Sequence, residues 1–446
     1  MSDANFHIAF YGLCIVLLWF ALRGILGGRS IFRYPTLAAL LGLAWVVPQG
    51  LDLETRTTNP YGSEVFWLYV TACFVSLAIG FRYGHKVKRE QISRAPAREI
   101  QRFSNKRLLI AAAGLTALGW FAQFQMRGID TSAMGGQWTG IITMWALLDK
   151  ANGFGLCLAV LVFARTRSLL SLAIAVLAAA PLAFSAFFGV RREVLFDLLA
   201  LTGGAWYLVN RGYPSRLAVI AALLVGTIFL NNIEDIRGRI ISGEESFAEV
   251  LVSARTYQDF DFTSRDQGVA SEVGLAQYDF RYVNETSRWE LGAEHWNHII
   301  HQYVPAFIFG HKFKESLQFS TLSQRIRTGE DNALQSVGST RTGFSDSYRA
   351  FGLYGCLIFA AIGYYFGILY ALQISQIVSA QFLYLVLLAE GLKAITHSTS
   401  EFLAALPFTL LIYWAVFKFA QIARILTRQS TALRLRFDAK GKARRI

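Results

Sequence analysis

Charge is withheld from this chain in long runs, and that constrains its fold more than any other feature. Stretches of about twenty almost wholly apolar residues recur from Ile8 onward, and about twenty residues is what an α-helix needs to cross a ~30 Å hydrocarbon layer. Backbone N–H and C=O groups find no water there, so each run must satisfy its own hydrogen bonds as a helix. Only 16% of the 446 residues are charged, against about 25% in soluble domains, and a water-soluble enzyme is excluded. The 35 Phe, 18 Tyr and 10 Trp exclude a disordered chain, which lacks such surface to bury. Cys14, Cys73, Cys157 and Cys356 all fall inside apolar runs, so no disulfide framework is expected. The first run is followed by no small-residue cleavage site and is read as a retained span.

The runs predict an all-α polytopic membrane protein of about eleven spans. They lie near residues 8–26, 36–47, 65–81, 108–124, 154–164, 169–188, 194–209, 217–230, 351–372, 378–395 and 402–422. The second and fifth are short. Residues 135–148, which Gly135 and Gly136 open, read as a helix lying at the membrane interface or as a re-entrant piece. Four regions follow: spans one to eight within 1–230, a hydrophilic segment at 231–350, spans nine to eleven at 351–423, and a basic tail at 424–446.

Nine Lys or Arg lie between Phe81 and Leu108, and eight follow Ile422. The loops carrying Arg29 and Arg33, Arg165 and Arg167, and Arg211 and Arg216 fall on the same side when the spans alternate. By the positive-inside rule that side is cytoplasmic, with the N-terminus outside and the C-terminus inside. The net charge of +13 is then a topology signal and a surface for anionic lipid. The tail lacks the aromatic interleaving of a nucleic-acid module, and no nucleic-acid partner is expected.

Residues 231–349 carry 12 Lys or Arg and 17 Asp or Glu, so the hydrophilic segment is acidic and lies on the side opposite the basic loops. Loops of this length are usually functional. In LGAEHWNHIIHQYV, Trp296, Ile299, Ile300 and Tyr303 recur at helical spacing while Glu294, His298 and His301 point elsewhere, and Pro305 ends the helix. The segment is expected to form a large, partly helical extracytoplasmic loop capping the spans.

Arginine at the outer membrane face runs against the positive-inside bias and needs another reason. Arg191 and Arg192 follow the sixth span, and Arg237 and Arg239 follow the eighth. A guanidinium fork suits phosphate and pyrophosphate oxygens; pairing with Glu193, Asp197, Glu234 or Asp235 is the alternative. In GSTRTGFSDSYRAFGLYG, Arg341, Asp346, Tyr348 and Arg349 cluster where the chain returns to the membrane. That mixture suits a sugar phosphate, or a plain re-entry turn.

His295, His298 and His301 at i, i+3 and i+6 fan through about 120° of a helix, so no metal site is expected. One of these histidines is a candidate base or phosphate-orienting group, with Glu290 and Glu294 competing. Glu390, Lys393, His397 and Glu401 share one face of the tenth span. Either Glu390 pairs with Lys393, or His397 and Glu401 mark the mouth of a polar cavity.

This architecture, with FGVRRE, IRGRI, HQYVPAFIFGHKFKE and TGFSDSYRAFGLYG, resembles the oligosaccharide repeat-unit (O-antigen, Wzy-type) polymerases over the whole chain. The resemblance implies a GT-C-like glycosyltransferase of a bacterial inner membrane. It would act at the extracytoplasmic (periplasmic) face on undecaprenyl-diphosphate-linked oligosaccharides and build a surface polysaccharide such as O-antigen or exopolysaccharide. Arg191, Arg192, Arg237, Arg239, Arg341, Tyr348, Arg349 and His397 would contact diphosphate or substrate, and His295, His298 or Glu294 would be the base. No cofactor or metal is implied. The implied partners are the lipid-linked sugars, the lipid bilayer and a chain-length regulator in the membrane. An O-antigen ligase shares the donor and the architecture; a polysaccharide or lipid-carrier transporter is the alternative of another class. Charges gathered at the outer face rather than at mid-membrane favour the enzyme.

Overall fold

The computed structural model describes residues 3–27, 31–55, 64–94, 99–127, 141–187, 192–210, 217, 271–321, 341–374 and 377–426. Among them, nine helical stretches are long and apolar enough to cross a membrane, with a shorter apolar helix besides. The chain is a multi-pass membrane protein. The eighth expected span, 217–230, lies outside the described residues but for Leu217.

Helix α1 (Asp3–Leu26) is followed by α2 (Tyr34–Leu41), one π-helical turn (Gly42–Val46) and α3 (Val47–Thr55). Together the last three make one crossing, longer than the short run at 36–47. Pro48 has no N–H for the regular i→i−4 bond, and the wider turn just before it accommodates that loss. Next come α4 (Glu64–Arg94), strand β1 (Glu99–Phe103) and α5 (Asn105–Met126). Helices α6 (Ile141–Asp149) and α7 (Ala151–Thr166) join at Lys150 into one 26-residue apolar stretch. This corrects the reading of 135–148 as an interfacial or re-entrant piece: from Ile141 on it is the first half of the fifth span. Lys150, which interrupted the apolar run in the sequence, is neutralised by Glu390 at 3.4 Å.

Helices α8 (Leu169–Phe187) and α9 (Arg192–Asn210) complete the first part. Four shorter helices follow: α10 (Glu272–Thr286), α11 (Ala293–Tyr303), α12 (Ala306–Phe309) and α13 (His311–Ser316). Helix α14 (Gly343–Phe351) leads through a 3-10 turn (Gly352–Gly355) into α15 (Cys356–Gln373), so the ninth span begins at Gly343, inside the stretch assigned to the loop. Helices α16 (Val378–Thr396) and α17 (Thr399–Ala420) and strand β2 (Gln421–Leu426) close the described chain.

Among the described residues, the most extensive helix packing joins α4 to α15. Each carries glycines four apart, Gly80 and Gly84 on one, Gly363 and Gly367 on the other. A Cβ on Gly80 would stand 2.0 Å from the carbonyl oxygen of Ala360, and one on Gly363 would stand 2.1 Å from that of Leu77. The matched positions rise together along both helices, so the two run parallel. Small residues at this spacing let backbones touch, and in lipid such packing replaces the missing hydrophobic drive.

The strands pair antiparallel, Glu99 opposite Leu426 and Phe103 opposite Gln421. Arg107 of α5 donates to the carbonyls of Phe419 and Gln421 at 3.3 and 3.0 Å, covering the C-terminal end of α17. The fold is therefore almost all helical, with one small ribbon that the all-α expectation lacked. Arg23, Arg33, Arg82, Lys86, Arg89 and Arg167 lie toward the ribbon's end of the helices, and α10 to α13 pack at the other.

Candidate functional site

The end of the bundle remote from the ribbon is built around buried charge. Arg349 on α14 is 2% exposed, and its Nη2 donates to both carboxylate oxygens of Glu290 at 2.8 Å. Its Nη1 lies 3.7 Å from Asp279 of α10, and Nη2 lies 4.0 Å from Glu294 of α11. The Glu290 N–H also donates to the Arg349 carbonyl at 3.0 Å. One guanidinium thus fastens α10 and the start of α11 to the spans. Asp279 further accepts from Ser345 and from Arg341, whose Nε is 3.1 Å away and whose side chain remains 23% exposed. Gln49 of α3 extends the seam, donating to Glu272 at 2.8 Å and accepting from the Val273 N–H.

Beside this seam two helix N-termini converge on Asp346. It sits in the first turn of α14, which Thr342 caps, and its Oδ2 accepts from the Ser400 N–H at 3.0 Å in the first turn of α17. Positive helix ends favour a carboxylate there. The same oxygen accepts from Thr399 Oγ1 at 2.6 Å and Ser398 Oγ at 3.2 Å. His295, buried at 7% exposure, brings Nε2 to 2.9 Å from Thr399 Oγ1 and 3.5 Å from Asp346 Oδ2.

The direction of these bonds fixes the histidine tautomer. Thr399 has one hydroxyl proton and gives it to the carboxylate, so its oxygen accepts from His295 Nε2–H. When the ring is neutral Nδ1 is a bare lone pair, and it is buried with no hydrogen-bond partner among the described residues. Such an acceptor costs about 1–3 kcal/mol to leave unmet, and buried groups left so call for a functional account. The arrangement is that of an acid-oriented imidazole able to take a proton at Nδ1.

The expected residues divide sharply. His295 is brought together with Asp346; Glu294 lies at the edge of the Arg349 cluster, and His298 is half-buried one turn further along α11. His397 Nδ1 lies 2.8 Å from the neighbouring Thr396 hydroxyl. Two assignments to substrate are corrected. Arg349 is committed to Glu290 and Asp279, and Tyr348 stacks on Phe280 with ring centroids 3.7 Å apart while its hydroxyl donates to Asn284. Both anchor the seam, because a cation and an aromatic ring facing the bundle interior must be satisfied there. Arg191, Arg237 and Arg239 lie outside the described residues, as does the Arg192 side chain. Of the two residues expected to pair, Glu390 is met by Lys150 at 3.4 Å and Lys393 reaches Asp197 of α9 at 2.7 Å.

Helix α11 forms as expected, but its inward face is His295, Asn297 and Ile300, while Trp296 is 45% exposed and donates to the Leu317 carbonyl. Burial holds the Lys314 ammonium below the usual lysine range, and its Nζ donates to the His301 carbonyl, tying α13 to α11. Sequence reasoning missed Asp279 and Thr399. Thr399 had a signal: Ser398-Thr-Ser-Glu401 is a capping-box pattern, and Ser398 does accept from the N–H groups of Ser400 and Glu401.

No protein-family model, curated protein or solved structure matches the chain.

Proposed function

We propose that this protein is a membrane glycosyltransferase that joins lipid-diphosphate-linked oligosaccharides into a longer polysaccharide, working at the end of the bundle that holds His295. The observation that carries the reading is the His295–Thr399–Asp346 chain, which leaves Nδ1 as a lone pair at the boundary between spans and the loop helices. An acceptor sugar hydroxyl attacks the anomeric carbon of the donor, the bond from that carbon to the diphosphate oxygen breaks, and Nδ1 takes the hydroxyl proton. The lipid diphosphate leaves with its negative charge, and arginine at the same face offsets it. Arg341 is the described cation best placed at the rim; Arg191, Arg192, Arg237 and Arg239 are the further ones this reading assigns to the donor. Exposed Phe307, Ile308, Phe309 and Phe313 on α12 and α13 give this end an apolar exterior suited to the bilayer interface, where a lipid-borne substrate resides. The opposite, basic end is then cytoplasmic.

The test is conversion of a defined undecaprenyl-diphosphate-linked repeat unit by the purified full-length chain. A ladder of longer lipid-linked products supports the reading. Intact substrate, or transfer to a lipid core acceptor alone, defeats it, the second outcome marking a ligase.

A further inference from the structure

A cavity of about 340 Å³ opens between α1, α2 and α4 at the basic end, remote from His295. Arg23 reaches it from the last turn of α1, Arg33 from the residue preceding α2, and Arg82 and His85 from adjacent turns of α4. Three separate elements thus bring three guanidinium groups and an imidazole to one space, and no Asp or Glu among the described residues lines it. The first turn of α2 also lines it through Pro35 and Thr36, so the positive end of that helix adds to the field. Arg33 Nε is buried without a hydrogen-bond partner among the described residues, a costly state for a charged donor. Past Arg82 and His85 a second hollow of about 400 Å³ continues along α4 by Lys86 and Arg89, with Glu90 its one acid.

Apart from Thr36, the rest of the first cavity's wall is apolar, including Phe20, Val75 and Ile79, and Ile79 is 64% exposed on the outside of the bundle. A free phosphate ion would engage the guanidinium forks and leave that wall unused. An amphiphile uses both. We propose that the cavity binds an anionic phospholipid, with Arg23, Arg33 and Arg82 holding the phosphate and an acyl chain lying against Phe20 and Ile79. Basic pockets between spans recognise such headgroups through charge, and the planar guanidinium matches phosphate oxygens in pairs. The site does not depend on the sugar chemistry assigned to the other end.

The full chain, purified in neutral detergent, is titrated with short-chain phosphatidylglycerol, with phosphatidylcholine of the same chain length and with inorganic phosphate, and bound mass is read by native mass spectrometry. Phosphatidylglycerol is expected to bind roughly tenfold or more tightly than phosphatidylcholine, and to lose roughly fivefold for each of Arg33→Gln and Arg82→Gln. Ile79→Trp, which fills the apolar wall without altering charge, is expected to weaken it too. Arg167→Gln, at the same end but stacked on Trp206 away from the cavity, is expected to bind as the parent does. Each variant is first checked for a monodisperse elution profile like that of the parent. Equal binding of the two lipids, displacement of phosphatidylglycerol by equimolar phosphate, or an equal loss in Arg167→Gln overturns the proposal.

Discussion

Alanine at Gly84 tests the packing on which the whole bundle rests. Its Cβ would lie 2.1 Å from the carbonyl oxygen of Tyr364 and 2.9 Å from that residue's carbonyl carbon, where ordinary contact begins near 3.4 Å. The obstacle is backbone, so no side chain can swing aside, and α15 must withdraw from α4 by more than an ångström. A gap of about 0.5–1 Å already forfeits a quarter to a half of each dispersion contact across it, and overpacking of this kind costs about 1–3 kcal/mol. The upper end is expected for Gly84→Ala, because Gly80, Gly363 and Gly367 are tight in the same way and the helices cannot pivot about a loose neighbour. Gly114 and Gly203 provide the control: a Cβ at either meets nothing within 4 Å. Alanine there is expected to be neutral or to stabilise by at most about 1 kcal/mol through helix propensity. The assay is the midpoint temperature at which the detergent-solubilised chain loses its monodisperse elution peak. A Gly84→Ala midpoint equal to that of Gly114→Ala would refute the close parallel packing of α4 on α15.

Three further outcomes concern the site. His295→Asn is expected to lower product formation by about 10²–10⁴-fold, the usual share of a positioned base, with His298→Asn close to the parent; equal losses would remove the distinction between them. Thr399→Val keeps the shape but breaks the link to Asp346, and loss of a bond worth about 1.5–3 kcal/mol predicts roughly tenfold to a hundredfold slower turnover. Thr399→Ser should restore it, and a serine variant as slow as valine would show that the hydroxyl plays no positioning part. Arg349→Met strands Glu290 and Asp279, with an expected cost of about 3–5 kcal/mol in thermal unfolding. Adding Glu290→Gln should recover part of that loss, and strict additivity of the two changes would argue against direct coupling.

The sequence made the spans legible where hydropathy was continuous and failed where one polar residue interrupted it. Lys150 hid the join of α6 and α7, and Gln49 with Asp52 hid the second half of the second span. Both are polar residues with partners far along the chain: Lys150 meets Glu390, and Gln49 meets Glu272. The helix at 293–303 was legible, yet its inward face was not, because Trp296 is apolar enough to suggest burial but packs at the rim with its ring nitrogen bonded to Leu317. For the site, the sequence supplied His295, Glu290, Asp346 and the arginines as a chemical inventory. It gave no means of separating His295 from His298, which differ only in which face of α11 meets α17.

Membrane insertion, the alternation of spans and the gathering of basic residues at one end follow from composition read locally, since the transfer of a twenty-residue stretch into hydrocarbon depends on that stretch alone. Pairings do not follow from it. Lys393 reaches Asp197, 196 residues away, and His295 finds Thr399 across 104. An ion pair or hydrogen bond is decided within about 3 Å, and that distance exists only once the helices have packed.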